Sequence, residues 1–118
     1  MRITILAVGK VREQYLAQGI DEYLKRLRRY ATVTISDVAE DPAPETLSPA
    51  EQEAVKARET ARLLARLRDG QYVIALDLHG RQLTSDAFAA HLGEAALSGH
   101  SDLAFLIGGS LGLAPPAL

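Results

Sequence analysis

The sequence contains no cysteine and no tryptophan, and only one methionine and two phenylalanines among its 118 residues. Without cysteine, the chain forms neither disulfide bonds nor thiolate metal sites, and its redox compartment stays undetermined. Its apolar runs fall far short of the ~18 residues that a membrane helix needs. The apolar stretch that begins at Ile3 is also too short for a signal peptide. We therefore expect a cytoplasmic protein with no membrane partner.

Patterns typical of metal or nucleophile chemistry are also absent. His79, His91 and His100 are not spaced at i and i+4, and no carboxylate pattern accompanies them. We therefore expect no metal site. Ser110 lacks the G-x-S-x-G setting of an acyl-transfer nucleophile. The pattern Gly108-Gly109-x-x-Gly112 is neither a P-loop nor G-x-G-x-x-G, so a conventional dinucleotide site is unsupported.

The net charge of −2 hides an uneven distribution, because residues 1–30 carry a net charge of +4. Four cations end the first predicted helix: Lys25, Arg26, Arg28 and Arg29. Cations at the carboxyl end of a helix offset its dipole. Such a cluster can also attract a polyanion such as nucleic acid. From charge alone, a solvated helix face is the simpler interpretation.

Hydrophobic patterning predicts four strands that alternate with three helices. The predicted strands cover residues 3–8, 33–38, 72–76 and 103–107, and the predicted helices cover residues 12–30, 48–69 and 84–99. This alternation is typical of an open, mostly parallel α/β sheet with helices on both faces. At 118 residues, the chain has room for one domain.

The same patterns predict which side chains are buried. The run Tyr72–Leu76 is apolar throughout, which favours a central strand buried on both faces. Inward-facing positions of the second and third helices are expected at Ala57, Ala61, Leu64, Leu67, Phe88, Leu92 and Ala96. Ser48 and Glu51 match a capping box at the start of the second helix. His91 is expected on an exposed or half-exposed helix face.

The carboxyl edge of the predicted sheet is the expected ligand site, because ligands of open α/β sheets bind there. Gly108-Gly109-x-x-Gly112 follows the last strand, and Asp77 follows the third. Glycines let a ligand approach the backbone closely. The same glycines can equally form a tight turn, and Asp77 can equally begin one. His79 is the one histidine near this edge.

Three segments together resemble a known family. They are Ile3-Thr-Ile-Leu-Ala-Val-Gly-Lys10, Tyr23-Leu-Lys-Arg-Leu27 and Leu106-Ile-Gly-Gly-Ser-Leu-Gly112. Leu76-Asp77-x-x-Gly80 and the helix start at Ser85 fit as well. In this combination the sequence resembles the RlmH family of SPOUT methyltransferases. That family methylates N3 of a pseudouridine in large-subunit ribosomal RNA with S-adenosylmethionine, so the resemblance implies the same enzyme activity here.

The resemblance also implies roles for individual residues. Leu76 is expected to contact S-adenosylmethionine, and Gly108 with Gly109 is expected to line it through the backbone. The four cations of the first predicted helix become candidates for contacts to the ribosomal RNA backbone, in the large subunit or in the assembled ribosome. No catalytic residue and no metal ligand are assigned.

Near its carboxyl end the sequence departs from the family pattern. Family members continue with a Leu-Ser-x-x-Thr-Phe/Leu-Pro-His loop, a further strand, a long helix and a terminal Tyr-His pair, where this sequence has Pro115–Leu118. We therefore expect a single SPOUT-like domain over residues 1–118 that stops before the trefoil knot closes. With the further segment present, the resemblance implies a homodimer.

Two other hypotheses stay open. One is an inactive truncated remnant that acts at most as a ribosome- or partner-binding module. The other is a plain nucleotide-binding α/β domain. The remnant would not bind S-adenosylmethionine, and the nucleotide-binding domain would not prefer it over ATP.

Overall fold

The computed structural model describes residues 1–118. Its elements are β1 (Arg2–Val8), α1 (Gln14–Leu27), β2 (Thr32–Val38), α2 (Pro49–Leu64), β3 (Tyr72–Leu76), α3 (Ser85–Leu97) and β4 (Asp102–Ile107). A short 3-10 helix, Pro115–Ala117, follows β4. The predicted alternation of strands and helices is confirmed.

All four strands are parallel and form one sheet in the order β2-β1-β4-β3. The register places Leu6 of β1 beside Leu106 of β4, and Ile5 beside Phe105. Successive side chains point to opposite faces, so these two pairs belong to different layers. α2 packs on the face that carries Leu6 and Leu106, where its Leu63 joins their cluster, and α3 packs on the opposite face, where its Phe88 lies against Phe105. The predicted α/β class with helices on both faces is therefore confirmed.

The core lies between α2 and the central strands β1 and β4. Leu6, Leu63 and Leu106 are almost fully buried, and they form one cluster with Val38 and Leu113. Leu113 lies beyond β4, so this cluster draws the segment after the last strand back onto the sheet.

A capping box starts α2, as predicted. The Ser48 hydroxyl accepts a hydrogen bond from the Glu51 N–H at 3.2 Å, and the Glu51 carboxylate accepts one from the Ser48 N–H at 3.2 Å. Hydrogen bonding of the Glu51 carboxylate to the Ser48 side chain, and then to the Ser48 backbone, holds the pKa of Glu51 below its usual value. The paired bonds satisfy two backbone donors that the helix itself leaves free.

β3 lies at an edge of the sheet, which corrects the prediction of a central strand. None of its residues is buried, and Val73 and Leu76 are 39% and 48% exposed. The prediction was wrong because an apolar run favours a strand but does not decide its place, which depends on pairing between distant segments. β4 is the central strand that is buried along Leu103–Leu106.

Two helices are shorter than predicted. α1 ends at Leu27 rather than at residue 30, and α2 ends at Leu64 rather than at residue 69. Beyond both ends, some backbone hydrogen bonds span three residues instead of four, as from Tyr30 to Leu27 and from Leu67 to Leu64, which tightens the chain into turns. No helix combines the length and the apolar character needed to cross a membrane.

The buried helix faces also differ from the prediction. α2 buries Val55, Glu59, Thr60 and Leu63, whereas Ala57 and Ala61 are exposed and Leu64 and Leu67 are half-buried. In α3, Ala95 is buried in place of Ala96, while Phe88 and Leu92 are half-buried. The prediction followed apolar side chains and so missed a buried stripe that includes a carboxylate.

Candidate functional site

A cleft of about 480 Å³ lies at the carboxyl ends of the neighbouring strands β3 and β4. Its lining consists of Ala75, Leu76, Asp77, Leu78, Gly80, Arg81, Ile107, Gly108, Gly109 and Gly112. Sites for small molecules commonly have volumes of ~300–1,000 Å³. The fold thus brings together Leu76, Gly108 and Gly109, the three residues expected to bind the methyl donor.

The glycine loop, residues Gly108–Gly112, forms the wall of the cleft beyond β4. A Cβ atom on Gly108 would lie 2.6 Å from the carbonyl carbon of Gly112, so a side chain there collides with backbone. The Gly112 N–H donates to the Gly109 carbonyl at 3.0 Å, and the φ of Gly112 is +89°. Glycine adopts such a φ without steric cost. The loop is therefore a tight turn, and that turn itself presents bare backbone to the cleft.

The opposite wall is the turn after β3. The Asp77 carboxylate accepts a hydrogen bond from the His79 N–H at 3.1 Å, and the Asp77 carbonyl accepts one from the Gly80 N–H at 3.1 Å. Asp77 thus begins the turn, as one of the two interpretations of the sequence expected. Before the turn, the exposed apolar side chains of Leu76 and Ile107 flank the cleft.

Two adjacent polar residues of α2 lie behind the glycine loop, and sequence reasoning missed both. Glu59 and Thr60 are only 3% and 2% exposed. The Thr60 hydroxyl accepts a hydrogen bond from the Ala114 N–H at 2.9 Å. The available signal was the spacing of four residues that places Glu59 on one stripe with Val55 and Leu63.

Asp41, which follows β2, is fixed by two arginines of α2. Arg58 donates to its carboxylate at 2.6 Å, and Arg62 donates at 2.8 Å. The hydrogen bonds from Arg58 and then Arg62 hold the pKa of Asp41 below its usual value. The Asp41 backbone N–H donates to Glu59 at 2.9 Å, so α2 holds this segment through both backbone and side chain.

The basic cluster consists of Lys25, Arg26, Arg28 and Arg29. It lies at the end of the sheet where the strands begin, opposite to the end that carries the cleft. Lys25 and Arg26 are in the last turn of α1. Arg28 caps the helix and Arg29 follows it, which corrects the prediction that all four lie in the helix. The chain then enters β2 at Thr32, at the amino edge of the sheet. At ~3.3 Å per strand residue, this cluster is about 20 Å from the cleft along the direction of the strands.

All four cations are exposed, and three of them form no ion pair. Arg26 donates to the Glu22 carboxylate at 3.2 Å, and its guanidinium lies 5.5 Å from the centre of the Tyr23 ring. Solvent-exposed pairs of this kind contribute little to stability. The structure therefore leaves most of the positive charge of the cluster free for other contacts.

No histidine side chain belongs to the cleft lining. His91 is half-buried and shares a hydrogen bond of 3.1 Å with the Tyr72 hydroxyl, while His100 stacks on the Tyr72 ring with 4.7 Å between ring centres. No group of three or more metal-ligating side chains is present. His79 contributes its backbone N–H to the turn after β3.

Comparison with known proteins decides the family. All of residues 1–118 match the family described as predicted SPOUT methyltransferases. The chain belongs to the SPOUT methyltransferase family. The four-stranded parallel sheet with three helices is consistent with the SPOUT fold.

Individual SPOUT relatives carry a more specific name. The chain is 50% identical over 118 residues to the ribosomal RNA large subunit methyltransferase H of Alkaliphilus oremlandii, covering 100% of this chain and 74% of that protein. It is 52% identical over 118 residues to the protein of the same name from Listeria monocytogenes, again covering 74% of the relative. For Desulforamulus reducens, the identity is 50% over 115 residues, covering 98% of this chain and 72% of the relative. The resemblance to RlmH proteins is confirmed, and the alternative of a mere binding module gains no support.

The cleft has the chemistry that a methyl donor with an adenosine group requires. Leu76 and Ile107 offer apolar surface for a purine ring. The close approach between Gly108 and Gly112 leaves no room for a side chain at Gly108, so polar groups of a ligand can reach the backbone there. The residues present therefore fit S-adenosylmethionine.

Proposed function

We propose that this SPOUT family member transfers a methyl group from S-adenosylmethionine to N3 of a pseudouridine in large-subunit ribosomal RNA. The observation that carries the proposal is the cleft of β3 and β4, one wall of which is lined by Gly108, Gly109 and Gly112, with no room for a side chain at Gly108. The printed names of the relatives support the ribosomal RNA substrate. We take residues 1–118 as one methyltransferase domain.

In this proposal the protein acts mainly by positioning. S-adenosylmethionine supplies a methyl group bound to a cationic sulfur. Leu76 and Ile107 would hold its adenosine part on apolar surface, and Gly108 and Gly109 would meet it through backbone. The bond from N3 to the methyl carbon would form as the carbon–sulfur bond breaks, so that the sulfur leaves as a neutral thioether and the N3 proton passes to solvent. Residues that hold donor and acceptor beside each other can lower such a barrier by ~7–11 kcal/mol.

The basic cluster at the end of α1 supports an RNA substrate longer than a single nucleotide. It lies about 20 Å from the cleft, a distance estimated from the length of the strands. An RNA that contacts both the basic cluster and the cleft must extend across the whole domain. Phosphate contacts of Lys25, Arg26, Arg28 and Arg29 would set the orientation of the RNA but not select its sequence. Ribosomal RNA, in the large subunit or the assembled ribosome, is long enough for this. With this substrate, the proposed location of the protein is the cytoplasm.

With the further segment of the family present, a homodimer is part of the proposal. α1 has a regular apolar stripe but no buried residue, and Leu16, Tyr23 and Leu27 on it are exposed. An exposed apolar patch of this kind on a stable protein commonly marks an interface.

The experiment that tests the function is a methyl-transfer assay with tritium-labelled S-adenosylmethionine. The acceptors are large subunits and whole ribosomes from cells that lack the modification. We expect the folded chain to label the large-subunit RNA at N3 of a pseudouridine, and Gly108→Val to abolish labelling because its side chain meets the backbone of Gly112. Labelling of another base, or none with either acceptor, would contradict the proposal.

A further inference from the structure

Glu59 is the only carboxylate among the buried residues of the protein. It lies on α2 between Val55 and Leu63, and both of these neighbours on the stripe are apolar. A carboxylate at such a position costs solvation free energy that an apolar side chain would not. Packing of α2 alone therefore does not account for this residue.

No cation pairs with the Glu59 carboxyl group. The two arginines nearest in sequence, Arg58 and Arg62, bind Asp41 instead, and Glu59 forms no ion pair. One carboxylate oxygen, Oε2, accepts the Asp41 backbone N–H at 2.9 Å. Glu59 thus uses one oxygen to hold the segment that follows β2.

The other oxygen lies against the glycine loop. A Cβ atom on Gly109 would lie 2.9 Å from Glu59 Oε1 and 3.1 Å from a methyl group of Val8. The absence of a side chain on Gly109 therefore lets the loop rest directly on the carboxylate. Through Oε1 and Oε2, Glu59 touches the segments that follow β4 and β2, at the edge where the cleft lies.

The next residue holds the far end of the same loop. The Thr60 hydroxyl accepts the buried Ala114 N–H at 2.9 Å. Adjacent residues of one rigid helix therefore contact the start of the glycine loop at Gly109 and the chain just beyond its end at Ala114. A loop supported at both ends by a helix has less freedom to open, so less ordering is required when a ligand binds.

We propose that Glu59 is a positioning residue, whose carboxylate holds the glycine loop in the shape that receives the methyl donor. This inference rests on the proposed function, since it assumes that the glycine loop is the donor site. It gives α2 a role in catalysis although no α2 side chain lines the cleft.

The first test needs no ligand. The Gly112 N–H closes the loop onto the Gly109 carbonyl, so its hydrogen exchange, measured by NMR, reports loop opening. We expect Glu59→Gln to accelerate that exchange about 10-fold. Phe105→Leu is the control, because Phe105 packs on Phe88 at the opposite face of the sheet and its loss destabilises the fold elsewhere. If the two variants lose equal stability and change Gly112 exchange equally, Glu59 has no special role.

The second test is the affinity for S-adenosylmethionine, measured by calorimetry at a temperature where all variants are folded. We expect Glu59→Gln to weaken binding about 10-fold, and Phe105→Leu to leave it within about 2-fold of wild type. If Glu59→Gln does not fold, Glu59→Asp keeps the charge but withdraws it by one methylene, and the same loosening is expected. Unchanged Gly112 exchange in Glu59→Asp would then overturn the proposal. If the wild type itself fails to bind the ligand, the proposed function fails, while the exchange test still decides the role of Glu59.

Discussion

The helices α1 and α2 have similar lengths but differ in how much of their surface is buried. α1 has the more regular apolar stripe and buries no residue, whereas α2 buries four residues, two of them polar. α2 packs across β1, β2 and the 3-10 helix after β4, while α1 packs on the edge strand β2. The comparison teaches that a helix is buried according to the strands it crosses, and that its own amphipathic pattern does not decide this.

The stability cost of removing one leucine from each helix is the largest difference we expect. Leu63→Ala removes a side chain with no exposed surface and should lower the free energy of unfolding by ~2–5 kcal/mol. Leu16→Ala, at a residue 45% exposed, should lower it by less than ~1 kcal/mol. Urea denaturation of both variants gives the comparison.

Urea denaturation of the same two variants at several protein concentrations makes the comparison between the helices more specific. Equal costs for the two variants at every concentration would contradict the contrast between the helices. A cost of Leu16→Ala that grows with concentration would show that α1 is covered in a homodimer.

Gly109→Ala should reduce affinity for S-adenosylmethionine about 10-fold, a smaller loss than at Gly108. The reason is that the new methyl group meets side-chain atoms of Glu59 and Val8 rather than backbone, and a displaced Glu59 carboxylate would support the loop less well. Calorimetry on Gly109→Ala, Glu59→Ala and the double variant forms a double-mutant cycle. We expect a combined loss below the sum, and strictly additive losses would show that the two residues do not interact.

Neutralising the basic cluster should weaken RNA binding without affecting the donor. Changing Lys25, Arg26, Arg28 and Arg29 to glutamine should flatten the dependence of RNA affinity on salt, by about 0.7–0.9 in logarithmic slope for each phosphate that the variant no longer neutralises. Binding of S-adenosylmethionine should not change, because the cluster lies at the opposite edge. Filter binding across a salt series measures the effect. An unchanged slope would exclude the cluster from the RNA interface.

The smallest expected effect is a pH dependence of stability at Asp41. Because Arg58 and Arg62 lower its pKa in the folded protein, Asp41 stabilises the fold above its unfolded pKa of ~3.9. That contribution is lost as the pH falls through the lower, folded pKa. Asp41→Asn should therefore be less stable than wild type at pH ~7, and the difference should shrink as the pH falls below the unfolded pKa of ~3.9. Thermal unfolding at neutral and at acid pH tests this, with the exposed Asp69→Asn as control; a constant difference would contradict the account.

Much of the fold and part of the site followed from local patterns. The strands, the helices and the cleft between Leu76 and Gly108 were predictable, because parallel strands end at one edge and glycines follow the last of them. The edge position of β3 was not predictable, since strand order depends on contacts between residues that are far apart in sequence. Glu59 was missed for a related reason. Its burial depends on Gly109, fifty residues away, and a carboxylate on a helix is usually solvated.

The central claim is that the glycine loop is the site of the methyl donor. The most direct measurement is a calorimetric titration of the folded chain and of Gly108→Val with S-adenosylmethionine, with ATP as the competing ligand. We predict saturable binding of S-adenosylmethionine to the wild type, no comparable binding of ATP, and no binding to Gly108→Val. Equal binding of ATP, or unchanged affinity in Gly108→Val, would contradict the claim.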